Sequence, residues 1–542
     1  MATNFSHREV IMVLIDWAIV GLYISAVVLM SYLVGKSQKN HDDYYLGGRV
    51  IPAWQAGASM TANQVSAISL VGAPAFIAVK KGGGLVWLQY EMAIPLAMIA
   101  IIIFVMPLVR SVKGITIYEY LEKRFGYHTR LTMSLVFLVS RSLATGVALL
   151  ATAYVTSVCM GIPLTLTIII IGTVSLLYTS MGGIKADIYS DIMQLAVLWI
   201  SSFVLIGILI VLLEPSGLHN LTNERFRIFD FTATGLGDGN SFAFLPMLVG
   251  GLFLYISYYG CDQSQAQRLL TAKNDRTAAR SLLINSLLRF PLVLTYCCAG
   301  ILMVPFLASH ASFAEVVNGL PADYLMPVFF RDYVPAGMRG LLVAGIFAAS
   351  MSSLDSAINS LSAATWEDII IPIRPHLAEK GDRAKIFIAR LMTVCWGVFT
   401  ILCALWFSGG TDTVIEMVNK IGSAFYGPVA GVFILGFLSR KAGQGGALTG
   451  LASGVFLNIV LWIFFHDSIS WMWWNCTGFF MTVLTGMAVT FIVPLPHDKA
   501  RQETLRVVDR SDYSFLKKYS LILMGWFIVI IIISLCLEHV LT

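Results

Sequence analysis

Charge is what this sequence has least of. Only 12% of its 542 residues are Asp, Glu, Lys or Arg, whereas 57% are hydrophobic, and soluble domains carry about 25% charged residues. With a mean hydropathy of +0.78, so much apolar side chain cannot be hidden from water inside a soluble core. The formal net charge of +5 is modest, and no nucleic-acid partner is expected. Cysteine is also scarce. Most of the eight lie within apolar segments (Cys159, Cys297, Cys298, Cys395, Cys403), with no C-x-x-C or Cys/His cluster. They read as small buried hydrophobes rather than metal ligands or disulfides. Neither H-E-x-x-H nor G-x-S-x-G occurs, and without a nucleophile–base pair or metal cluster an enzyme is not expected. A signal-peptide pattern is missing too, because the first apolar run, from about Val10 to Val34, is long enough to span and has no small-residue cleavage site. The sequons at Asn4 and Asn220 are short patterns with a high chance rate.

Long apolar runs are what the chain does have. Fourteen segments approach the roughly 17–25 residues of a membrane-crossing helix: 11–34, 52–77, 84–109, 129–159, 163–180, 187–213, 242–262, 280–307, 338–365, 384–407, 415–437, 446–465, 471–493 and 518–540. The fold class is therefore all-α and polytopic, a single transmembrane domain with about fourteen helices. The connections 214–241 and 494–517 are too short for a separate soluble domain. The 17 prolines and 45 glycines fit a bundle with interrupted helices, which membranes tolerate.

Of the 36 basic residues, 25 fall in one set of alternating connections, among them Lys36, Arg49, Arg110, Arg268, Lys273, Arg383 and Lys518. Seven fall on the opposite side together with both termini: Arg8, Lys80, Lys81, Arg225, Arg227, Arg331 and Arg339. Positive charge is retained in the cytoplasm, so both termini are expected outside, with the chain in the plasma (inner) membrane. The last four basic residues, Arg141, Arg289, Arg390 and Lys420, lie within spans, as do Glu91, Asp191, Asp355 and Glu416. Each such charge costs about 2.5–3.5 kcal/mol near the bilayer centre. They should pair, line water or bind something charged; Arg390 can snorkel to the interface.

Two segments carry polar groups in patterns that suit ion handling. In 52–77, the stretch Ser59-Met60-Thr61-Ala62-Asn63-Gln64-Val65-Ser66-Ala67-Ile68-Ser69 precedes Gly72-Ala73-Pro74. An unwound turn there would present carbonyl oxygens to a small hard cation, though small polar faces also serve helix packing. In 338–365, positions 349, 352, 353, 356 and 360 follow helical spacing and place Ser352, Ser353, Ser356 and Ser360 on one stripe beside Asp355. Packing with hydroxyl back-bonding explains a serine stripe, but it gives no reason for Asp355.

The chain resembles the sodium/solute symporter family, the group of sugar, proline, pantothenate, sialic acid and iodide carriers, over nearly its whole length. The resemblance rests on Asp42-Asp43-Tyr44-Tyr45-Leu46-Gly47-Gly48-Arg49 and Tyr118-Glu119-Tyr120-Leu121-Glu122-Lys123-Arg124-Phe125. It continues in Gly182-Gly183-Ile184 with Asp191 and Gln194, in Gln267-Arg268, and in the serine stripe. It implies a LeuT-like fold of two inverted five-helix repeats, 52–213 and 242–437, with a leading helix at 11–34 and three C-terminal helices over 446–540. It implies sodium-coupled symport of a small organic solute by alternating access, with sodium ions, the solute and the lipid bilayer as partners.

The family's main sodium site maps onto Ala62, Val65, Ala349, Ser352 and Ser353. Its second site maps onto Asp191 and Ser356, with Asp355 standing where such members carry a serine. Solute contacts map onto Gln64, Ser66, Ser69, Gln89, Arg141, Tyr258, Arg289 and Lys420. The cations Arg141, Arg289 and Lys420 favour a carboxylate-bearing solute over a neutral sugar or polyol, although Glu416 and Lys420 at i and i+4 also form a natural ion pair. A membrane sensor built on the same bundle is the other class, and the chain ends at Thr542 with no kinase attached. A channel is excluded by the interrupted polar stretches and the lack of a filter-like sequence.

Overall fold

The computed structural model describes residues 12–65, 67–213, 224–238, 242–408, 414–466, 468–492 and 514–542. Both sequons and the basic stretch 499–510 lie outside them. Regular structure among the described residues is helical, apart from one bridge between Leu236 and Ile469. The principal helices are α1 (Leu14–Gly35), α2 (Ala53–Gln64), α3 (Ala67–Ala78), α4 (Leu85–Ser111), α5 (Tyr127–Met160), α6 (Leu164–Leu212), α7 (Pro246–Cys261), α8 (Gln263–Leu270), α9 (Asp275–Ser309), α10 (Met338–Ile373), α11 (Asp382–Phe407), α12 (Val414–Leu438), α13 (Gln444–Phe465), α14 (Trp471–Ile492) and α15 (Ser514–Leu541). Ten of them are long and apolar enough to cross a membrane singly. The apolar segments read from the sequence fall on these helices, but 52–77 is divided between α2 and α3, and 163–180 and 187–213 share α6.

Three interruptions shape the bundle. The chain leaves helical geometry at Val65 (φ −82°, ψ 117°), and the axes on either side of the break differ by 54°. It leaves it again at Asp262 (φ −91°, ψ 126°), between α7 and α8. The sequence reading ends a span there and assigns Arg268 to a cytoplasmic connection. Instead the chain continues as α8, all of whose residues are buried. The third interruption is in α6, whose 49 residues would run about 74 Å if straight, more than twice a hydrocarbon core. Gly183 (φ 54°, ψ −166°) bends it, in a region of backbone space open essentially to glycine. A Cβ there would come within 2.5 Å of the Tyr44 carbonyl oxygen.

Helix α10 is buried along almost its whole length and packs on α1, α5, α6 and α11. Its N-terminus is capped from another helix. Asp16 of α1, fully buried, accepts hydrogen bonds at Oδ1 from the backbone N–H groups of Gly337 (2.7 Å) and Gly340 (2.9 Å). Sequence reading passes over Asp16 as the lone acid of a leading helix. It satisfies two of the orphan donors at a helix start and sits at the positive end of the dipole. Asp16→Ala is expected to cost about 1–2 kcal/mol, read as a fall in melting temperature; an unchanged melting temperature would show that the cap does not hold α10.

Candidate ion and solute site

The break after α2 lies against the serine stripe of α10. Ser352 Oγ donates to the Ala62 carbonyl at 3.1 Å, and lies 3.2 Å from that of Ala349. Ser353 Oγ is 3.0 Å from the Asn63 carbonyl and 3.5 Å from those of Val65 and Ala349. All five residues expected at the main ion site therefore converge, and Asn63 joins them through its backbone. The extended backbone at Val65 ends the i→i−4 ladder of α2, so the Ala62 carbonyl accepts the Val65 N–H at 3.0 Å in place of an i→i−4 bond and has a second lone pair for the serine or an ion. Two hydroxyls and a set of carbonyls, with no cationic group among them, form a donor set suited to a hard cation that binds through oxygen.

A second cluster lies on the same stripe. Asp187, Asp191 and Asp355 bring one carboxylate oxygen each to within 4.8 Å of one another, all buried. Sequence reading identifies Asp191, Asp355 and Ser356 and misses Asp187, one turn before Asp191 on the same face of α6. It also misplaces the counter-charge. Arg268 is fully buried on α8, with Nη2 3.1 Å from Asp187 and 2.8 Å from Asp191, and it also donates to Ser356 Oγ. Its Nε donates to Ser59 Oγ at 2.5 Å and its Nη1 to the Ser264 carbonyl at 2.6 Å. One side chain thus ties α2, α6, α8 and α10 together. Asp355 accepts from Tyr178 Oη at 2.7 Å and from the Ser356 N–H at 2.8 Å.

The residues expected to face solute separate into different environments. The Tyr259 hydroxyl donates to Gln64 Oε1. Tyr258 packs edge-on against Tyr259 and Tyr426, at 5.2 and 6.1 Å between ring centroids, and Gln265 donates to its hydroxyl at 3.1 Å. Arg141 lies over the Tyr258 ring, 5.7 Å from its centroid. Its nearest carboxylate is Asp262, at 3.8 Å, and its buried Nε has no hydrogen-bond partner. Asp262 meanwhile caps α8 through Ser264.

Arg289 differs. Its Nε and Nη2 each donate to one Glu91 oxygen at 3.2 Å, a two-pronged pair buried between α4 and α9. Gln89 bonds the Val86 and Phe242 carbonyls at 3.1 and 3.0 Å and the Asp230 N–H at 3.1 Å, which uses its amide to fasten the backbone at Asp230 and Phe242. Ser69 is half-buried on α3. Ser66 and the side chain of Lys420 lie outside the described residues.

Comparison with known proteins supplies independent findings. The model of the sodium:solute symporter family matches residues 44–454. The chain is 27% identical to a sodium/sialic acid symporter of Proteus mirabilis, over 89% of this chain and 95% of the relative. It is 26% identical to the human sodium/iodide cotransporter, over 82% and 68% respectively, and 29% identical to the human sodium-coupled monocarboxylate transporter 2, over 77% and 66%. Among solved structures it is similar to a Na+-coupled sialic acid symporter in a substrate-bound, outward-open state, with a TM-score of 0.79 and 24% identity over 89% of this chain and 99% of that one.

Proposed function

This chain belongs to the sodium:solute symporter family, and from that premise we propose that it couples sodium entry to uptake of a small solute bearing a carboxylate. The coarse function, sodium-coupled symport across a membrane, follows from the family and its relatives. Sodium is a transported substrate here, and the convergence of α2 and α10 supports a site for it at Ala62, Val65, Ala349, Ser352 and Ser353. The donors now held by Ser352 and Ser353 would turn aside so that the same oxygens face the ion. Asp191, Asp355 and Ser356 are proposed as a second site, with Asp187 added to it. The breaks at Val65 and Asp262 fall in the opening helix of each proposed repeat, 52–213 and 242–437, which supports the inverted-repeat reading. The basic excess supports outward termini.

The observation that carries the choice of solute is Arg141. It is nine-tenths buried, its nearest acid is 3.8 Å away, and its Nε is unpartnered, whereas Arg289, although its Nη1 is also unpartnered, meets both Glu91 oxygens at 3.2 Å through Nε and Nη2. A guanidinium placed this way gains most from a ligand that brings its own carboxylate. The named solutes of two relatives, sialic acid and monocarboxylates, are acids. Competition against sodium-driven uptake in proteoliposomes tests the reading with matched pairs, an acid against its amide. The acid should compete about 10- to 100-fold better, and Arg141→Gln should remove that preference. Equal competition by the amides would overturn the anionic reading and leave a neutral sugar or polyol.

A further inference from the structure

On the end of the bundle that carries most of the basic residues, a cleft of about 940 Å³ opens between the start of α15, the start of α9 and the end of α4. Its cations are Arg49, Arg110, Lys113, Lys273, Arg276 and Lys518; among the described residues its one acid is Asp275. Asp275 is already matched, because Arg110 Nε donates to it at 2.7 Å. Arg49 is held by carbonyls rather than by an acid, with Nη2 2.6 Å from that of Lys113 and 3.0 Å from that of Gly114. Lys113, Lys273, Arg276 and Lys518 are exposed and have no acidic partner among the described residues. Several positive charges from separate segments of chain thus face one concavity with no acidic partner among the described residues.

The apolar border of the cleft indicates what kind of anion it fits. Phe515 and Tyr519 of α15 line it. Immediately beyond, α15 presents an exposed apolar face, with Leu521 63%, Met524 43% and Ile528 51% accessible. The inner flank of α15 is fixed to the bundle, since Trp526 Nε1 donates to the Ser286 carbonyl at 3.1 Å. We propose that this cleft binds the phosphate of an anionic phospholipid headgroup, with the acyl chains lying along the outer face of α15. Basic pockets between membrane helices attract anionic headgroups, each Lys or Arg near the surface strengthening the attraction several-fold. An ordinary excess of surface cations, by contrast, needs neither a cavity nor an adjoining apolar track.

The test compares the full chain with two triple variants of equal charge loss. One is Lys273→Gln, Arg276→Gln and Lys518→Gln, within the cleft. The other is Arg374→Gln, Lys380→Gln and Lys441→Gln, at exposed positions on the same end of the bundle but outside it. Each is purified from bilayers of phosphatidylcholine with about 20 mol% phosphatidylglycerol, and retained lipid is counted by native mass spectrometry. The original chain and the outer variant should retain phosphatidylglycerol selectively, and the cleft variant should lose that preference by about tenfold or more. Equal retention by both variants would overturn the site. A second arm measures thermal stabilisation in detergent by short-chain phosphatidylglycerol and by inorganic phosphate. Stabilisation by phosphate alone to the same extent would replace a lipid by a soluble phosphate as the ligand. A melting temperature of the cleft variant equal to that of the outer variant, without ligand, separates lost binding from lost folding. None of these readouts depends on transport, so they stand apart from the solute assignment.

Discussion

Arg268→Met is expected to destabilise this protein more than any other single substitution considered, by about 3–5 kcal/mol, the range for stripping one partner from a buried charge pair. Methionine roughly fills the volume but leaves Asp187, Asp191 and Asp355 together with no cation, and it removes the donors to Ser59, the Ser264 carbonyl and Ser356. The four helices those bonds connect would lose their common tie. The measurement is the melting temperature of the purified chain, with surface expression as a second readout. Arg268→Met combined with Asp187→Asn should recover part of the loss, because one of the stranded charges is gone. If Arg268→Met melts like the original protein, the guanidinium is not what balances the cluster.

The same charge count predicts an opposite effect at Asp355. If all three are ionised, three carboxylates against one guanidinium leave negative charge in excess, a burden that a bound cation would relieve. Asp355→Asn should therefore raise the melting temperature without sodium while shrinking the further rise that sodium produces by mass action. Asp191→Asn is a sharper test of ion stoichiometry, since Asp191 both contacts Arg268 and holds Ser59. A normal sodium-to-solute ratio in that variant would assign the cluster to structure alone.

How legible these features were in the sequence depended on whether the signal was periodic. The apolar segments stood out as runs of membrane-crossing length and the serine stripe as a repeat at helical spacing, and both lie on helices. The broken α2 was legible from dense polar residues ahead of Gly72 and Pro74. The break at Asp262 was not, since Tyr258-Tyr259-Gly260-Cys261 carries no comparable run of polar groups, and α8 then looks like a basic connection. Arg268 was misassigned for that reason: in a stretch as polar as Gln263-Ser264-Gln265-Ala266-Gln267, an arginine reads as solvated, and only tertiary packing shows that it is buried. Asp187 was hidden by standing at the first position of the 187–213 segment, where an acid reads as a solvated helix end. Arg289 and Gln89 illustrate the converse, because a buried polar residue looks the same in sequence whether it meets a ligand or a neighbouring helix. Only the Glu91 carboxylate and the loop carbonyls distinguish the two cases.

The main ion site gives the cleanest separation of binding from folding. Ser353 is half-buried and contributes little apolar packing, and among the described residues its hydroxyl meets only the carbonyls of Asn63, Val65 and Ala349. Ser353→Ala removes one oxygen from a site whose other members are the Ser352 hydroxyl and backbone carbonyls, so the fold should survive while the ion loses a ligand. A hydrogen-bond-strength contact to a charged group is worth about 1.5–3 kcal/mol, so the sodium concentration for half-maximal uptake should rise about tenfold or more. Ser352→Ala should act in the same direction. The solute concentration dependence measured at saturating sodium should change much less. Sodium-dependent uptake and sodium-induced thermal stabilisation are measured side by side on the same preparation. An unchanged sodium dependence in both assays would mean that the stripe only packs α10 against the broken helix, and that the coupling ion is held elsewhere.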